Sequence, residues 1–250
     1  MNTKNLCSHF LTPVSRSTEQ GGRVVTAALI VCLALVGTGC QTLGGTMLTA
    51  PTPGIDSPEA ALAELKAGNA RFVSKTMLNR DLSAQVEATS GGQTPFAVVL
   101  GCIDSRVPPE LVFDQGIGDI FSPRIAGNFA NTDILGSMEF ATAVAGSKLI
   151  VVLGHTACGA IQGATDSVEL GNLTSMLDSL EPAVAAVEGA GERSSKNTAF
   201  VQAAAEKNVA LTVESIRTNS PTIAALEADG KVALIGAMYD VATGEVAFFE

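Results

Sequence analysis

At 250 residues the chain has room for one large domain or two small ones, and a hydrophobic share of 46% is ample for a buried core. Lys and Arg number 15 against 25 Asp and Glu, a net charge of −10, which argues against a nucleic-acid partner because phosphate binding needs clustered cations. The absence of Trp and a single Tyr argue against an aromatic-rich binding surface as well.

The first predicted element, over residues 1–40, is an export signal. Arg23 precedes an uninterrupted run of small and apolar residues at 24–36. The run is short of the about 20 apolar residues that a bilayer crossing needs, and it suits the apolar region of a signal peptide. Gly37-Thr38-Gly39-Cys40 follows and resembles the bacterial lipoprotein signal, in which small residues precede a cysteine that becomes lipidated. Gly37 stands where that signal usually carries a larger aliphatic residue. The resemblance implies a lipid on Cys40 and a chain that is periplasmic or membrane-anchored. An uncleaved anchor, or a secretory signal cut near Gly39, are the alternatives. Residues 41–56 are rich in Gly, Thr and Pro and lack a hydrophobic period, which predicts a flexible tether. Fully extended, it would reach on the order of 50 Å at about 3.3 Å per residue.

One folded domain is predicted over 57–250. Ser57, Pro58 and Glu59 form a helix start: a capping hydroxyl, a first-turn proline and a first-turn acid. Apolar runs at 96–101, 119–125, 149–153 and 232–238 predict strands buried on both faces, as in a parallel sheet covered by helices. Helical patterns at 134–145, 173–187 and 197–217 alternate with them. The alternation defines an α/β fold, a mostly parallel β-sheet flanked by helices. Residues 246–249 predict an edge strand after a turn at 240–244.

Two short runs, GCIDSR at 101–106 and GHTACG at 154–159, follow strand ends. In open α/β sheets ligands bind beyond the carboxyl ends of strands, so the two runs can meet at one point. They offer Cys102, His155 and Cys158, a set with zinc-ligand chemistry. Catalytic zinc sites have three protein ligands and keep a fourth position open. Asp104 and Arg106 stand two and four residues past the first ligand, where a carboxylate and a guanidinium would control that position. The same residues allow two other outcomes: a Cys102–Cys158 disulfide, or a closed, non-catalytic zinc site with Asp104 as fourth ligand. Cys7 and Cys32 fall before and in the apolar run at 24–36 with Cys40 after it, and His9 is the only other histidine.

GCIDSRVPPE (101–110), GDIF (118–121), RIAGN (124–128), VVLGHTACGA (151–160) and GAMYDVATGEV (236–246) together resemble the β-class carbonic anhydrases, in the family's order and over everything past the tether. The resemblance implies the β-carbonic anhydrase fold, with one Zn²⁺ per subunit on Cys102, His155 and Cys158. It also implies an Asp104–Arg106 dyad, and reversible hydration of CO₂ to bicarbonate and a proton by zinc hydroxide. Gln93, Phe121, Phe140 and Gly159 would belong to the substrate pocket, with Phe140 standing where some members have Tyr. Val99 replaces a Trp that some bacterial members use, with an arginine, for an inhibitory bicarbonate site, so Arg124 alone should not recreate it. Family members are dimers or multiples of dimers, so a homodimer or higher multiple is implied, with Gln93 acting across the interface. Relatives with the same zinc site hydrolyse carbon disulfide or carbonyl sulfide, which keeps a second substrate class open. With His155 used as a ligand and His9 in the signal, no imidazole remains to shuttle protons, and the product proton would leave through Asp104, water or buffer.

Overall fold

The computed structural model describes residues 46–249. The export segment, Cys40 and the first five residues of the expected tether lie outside them. The helix α1 (Pro58–Val73) begins as its sequence predicts: the Ser57 hydroxyl accepts from the Ala60 amide at 3.2 Å, and Pro58 opens the first turn. It buries Ala61 and Leu65. The chain continues through α2 (Leu82–Thr89), β1 (Ala97–Gly101), α3 (Pro109–Val112), β2 (Ile120–Phe121) and α4 (Thr132–Glu139). After α4 comes a π-helical turn at Phe140–Val144, then β3 (Leu149–His155), α5 (Gly159–Thr165), α6 (Asn172–Asp178) and α7 (Glu181–Ala185). The last elements are α8 (Thr198–Asn219), α9 (Pro221–Ala228), β4 (Ala233–Tyr239) and β5 (Val246–Phe248). Among the described residues no helix is long and apolar enough to cross a membrane.

The sheet has the order β2-β1-β3-β4-β5, with four parallel strands and β5 antiparallel at the edge. Every residue of β1 and β3 is buried, which explains why these strands are apolar runs rather than alternating ones. Val98, Leu100, Ile150 and Val152 face a core covered by α8, and Ala97, Val99, Leu149 and Val151 face one covered by α1. In β3, a Cβ on Gly154 would lie 2.5 Å from Val209 of α8 and 2.6 Å from the Met238 sulfur. This glycine serves the close approach of helix and sheet.

Several elements differ from their predicted spans for local reasons. The strand expected over 119–125 is cut to Ile120–Phe121, because Pro123 has no amide to donate. Past it, only Arg124 still bridges to Gly101. The helix expected over 173–187 is broken into α6 and α7, since Pro182 cannot continue a helix through its own nitrogen. The helix expected over 134–145 starts at Thr132, behind the capping side chain of Asn131, and ends in the π turn. The part of the expected tether that is described lies against the domain. The Leu48 amide donates to Asn79 O at 2.8 Å, and the Thr52 amide donates to the buried Asp119 carboxylate at 2.6 Å.

Asn69 joins α1 to the β5 hairpin. Its Nδ2 donates to Val112 O at 3.1 Å and Gly244 O at 2.9 Å, and its Oδ1 accepts from the Val246 amide at 2.9 Å. Asn69 is buried, so Asn69→Ala leaves backbone groups without partners and should cost about 2–4 kcal/mol. A urea midpoint unchanged within error would contradict this.

Candidate metal centre

Cys102 follows the last residue of β1, His155 ends the adjacent strand β3, and Cys158 caps α5 three residues later. The parallel register sets Gly101 beside Leu153, so neighbouring strand ends deliver the first two ligands to one place. Ala157, between His155 and Cys158, takes the left-handed conformation (φ 53°) that turns the chain from strand to helix. The two sulfurs and the imidazole lie within 4.8 Å of one another, and all three residues are buried.

The chemistry of this set fits a metal ion. The Nδ1–H of His155 donates to Thr156 O at 2.9 Å, which fixes the tautomer and leaves a lone pair on Nε2. That Nε2 is fully buried and has no hydrogen-bond partner among the described residues. A buried acceptor without a donor is costly, and a cation is the natural partner. Both cysteines are free thiols, so the structure holds no Cys102–Cys158 disulfide. The neighbouring Cys158 thiol pulls Cys102 well below the ordinary thiol range, while the same contact, with burial, pushes Cys158 up. The Gly127 amide points at the Cys102 sulfur from 3.4 Å. Metal binding requires both sulfurs as thiolates and would displace the remaining proton.

Asp104 stands beside the set, with Oδ2 3.9 Å from His155 Nε2. It is held there by Arg106 in a two-pronged pair, Nε to Oδ1 at 2.9 Å and Nη2 to Oδ2 at 2.7 Å. The Arg106 amide adds a third donor to Oδ1 at 2.9 Å. These bonds, the side-chain pair first, hold the carboxyl at about 2, so it is ionised throughout the neutral range. The guanidinium is tied to the second ligand loop by a longer contact from Nη2 to Ala157 O, 3.4 Å.

The expected pocket residues are only partly brought together. Phe121 and Phe140 meet edge to face with centroids 6.3 Å apart. They line a cleft of about 620 Å³ with Val98, which faces the same core as Leu100 and Cys102. None of the three ligands lines that cleft. Gly159 is exposed at the start of α5, with open space where a Cβ would stand. Gln93 is exposed in the segment before β1. Sequence reasoning missed the Thr156 carbonyl that orients His155 and the grip of the 124–127 loop on Cys102. The run RIAGN was the available signal for the second.

A mostly parallel α/β sheet that presents two cysteines and a histidine beyond its strand ends, with an arginine-held aspartate beside them, defines a zinc-enzyme scaffold. A sequence profile described as carbonic anhydrase matches residues 97–246. Carbonic anhydrase 2 of Mycobacterium tuberculosis is 36% identical over 194 residues, covering 75% of this chain and 91% of that protein. A carbonic anhydrase of Mycolicibacterium smegmatis is 36% identical over 196 residues, covering 76% and 92%. Among solved structures, a tetrameric β-carbonic anhydrase of Sordaria macrospora superposes with a TM-score of 0.57 at 26% identity, over 76% of this chain and 95% of that one. The chain belongs to the β-class carbonic anhydrases. Zinc is the metal of that family, and Cys102, His155 and Cys158 are the residues here that can hold it.

Proposed function

We propose that the chain catalyses the reversible hydration of carbon dioxide to bicarbonate and a proton, with Asp104 and Arg106 governing the open position beside the three ligands. The observation that carries this is the fork of Arg106 on Asp104, 3.9 Å from the imidazole of the ligand set. A zinc ion on Cys102, His155 and Cys158 would supply Lewis acidity and acidify water near neutral pH. Asp104, ionised and acceptor-only, takes the hydrogen bond of the attacking O–H and aims its lone pair at carbon. Arg106 occupies both carboxylate oxygens and keeps them from becoming a fourth ligand, which favours an open site over a closed structural one. Loading the protein with zinc and assaying CO₂ hydration beside carbon disulfide hydrolysis tests the reading. Carbon disulfide turnover without CO₂ hydration would move it to the second substrate class.

Activity should rise from pH 7 to 9. Cys102 and Cys158 as thiolates cancel the two charges of the ion, and a site of zero formal charge acidifies water less than a three-histidine site of charge +2. Asp104 does not set this limb, since its carboxyl titrates at about 2. A pH–rate profile already flat below neutrality would contradict the charge argument.

In the same reading the chain acts outside the cytoplasm, in the periplasm or held to a membrane through a lipid on Cys40. It works as a homodimer or a multiple of dimers. The 53% exposed Phe140 and the exposed Val144, on one apolar turn, support a second copy packing there. Gln93 would face the site of that copy.

A further inference from the structure

We propose that Arg124 is a positioning residue of this site, setting the first zinc ligand and the Asp104 carboxylate together by clamping the backbone that joins them. The proposal rests on the reading that Asp104 serves the hydration reaction. It stands on three sets of contacts.

The root of Arg124 is fixed beside β1. The Gly101 amide donates to Pro123 O at 3.0 Å, and the Ile125 amide donates to Gly101 O at 3.1 Å. Arg124 therefore sits, strand-like, next to the residue that precedes Cys102. Its guanidinium then reaches over the ligand segment: Nε donates to Cys102 O at 2.8 Å, and Nη2 donates to Asp104 O at 2.7 Å. The Asp104 carbonyl also accepts from the Val107 amide at 3.0 Å, so its direction is determined twice. The third contact comes from the same loop, where the Gly127 amide faces the Cys102 sulfur. Arg124 and Gly127 of one loop thus hold the backbone and sulfur of the ligand and the backbone of the acid.

A planar fork with donors in fixed directions suits two carbonyls two residues apart, and a lysine cannot reproduce it. Asp104 needs such a hold. With Oδ2 3.9 Å from His155 Nε2, a small rotation of its backbone decides between bonding the attacking oxygen and reaching the metal. Arg106 restrains the carboxylate from the solvent side, and Arg124 restrains the main chain from the β2 side.

The test compares Arg124→Gln and Arg124→Lys in the natural background and in Asp104→Asn, with zinc-loaded protein. In the natural background, Arg124→Gln should lower kcat about 10–100-fold, the range for groups that orient metal ligands, with KM changed less than about twofold. Arg124→Lys should recover part of the loss. In Asp104→Asn the further loss from Arg124→Gln should be under about threefold, because the group it positions is gone. Independently of catalysis, zinc should pass to a chromophoric chelator about tenfold faster from Arg124→Gln than from the natural protein. Equal fractional losses of kcat in both backgrounds, or an unchanged transfer rate, would overturn the proposal and make Arg124 a scaffold residue. If the natural protein does not hydrate CO₂, the proposed function fails and the transfer rate alone decides the role of Arg124. Should Arg124→Gln not fold, Arg124→Lys gives the same comparisons.

Discussion

His155→Ala is expected to abolish stoichiometric zinc binding and to lower CO₂ hydration by roughly a thousandfold or more, the scale reached when a group acting as one unit loses a member. The side chain is fully buried, its Nδ1–H is committed to Thr156 O, and its Nε2 has no partner among the described residues. Removing it leaves two buried sulfurs and a void where the third ligand stood. Two thiols remain able to capture zinc weakly, so the sharper readout is linkage. Zinc should raise the melting temperature of the natural protein, by an amount that grows with the logarithm of its concentration over Kd, and leave that of His155→Ala nearly unmoved. Equal zinc content and equal zinc-dependent stabilisation in the two proteins would remove His155 from the ligand set.

Arg106→Ala should retain one zinc per chain and lose about 10–100-fold in CO₂ hydration, the range for residues that orient groups at a metal. Its side chain is half exposed and its hydrogen bonds go to Asp104 and the Ala157 carbonyl, so its loss should leave the fold in place. What it does is occupy both oxygens of Asp104. Without it the carboxyl rises from about 2 toward the ordinary range and is free to turn onto the metal. The expected signature is activity lost while metal is kept. Arg106→Lys should recover little, because one ammonium cannot hold two oxygens in a plane. Zinc content and activity both unchanged in Arg106→Ala would reduce the pair to a surface ion pair.

Much of the site was legible because its groups are local in sequence. Cys102, Asp104 and Arg106 fall within five residues, His155 and Cys158 within four, and each group follows a strand whose apolar run marks it as buried on both faces. Parallel pairing then brings the two groups together, a step the strand-end rule anticipates. The missed contacts are long-range or lie in the main chain. Thr52 reaches Asp119 across 67 residues, so its segment looked like a free tether. Arg124 acts on carbonyls 20 and 22 residues away, and carbonyls leave no trace in a sequence. The broken helix around Pro182 is a different case, since its cause was present but outweighed by the apolar period on either side. Gln93 and Phe140 were placed by family resemblance, and Phe140 lines a cleft that none of the three ligands borders.

The most direct measurement is stopped-flow CO₂ hydration by protein holding one equivalent of zinc, followed from pH 7 to 9. The account predicts turnover well above the buffer background, rising with pH and lost when the metal is removed. One tightly bound zinc with no acceleration at any pH in that range would contradict it, and would leave Cys102, His155 and Cys158 as a structural site.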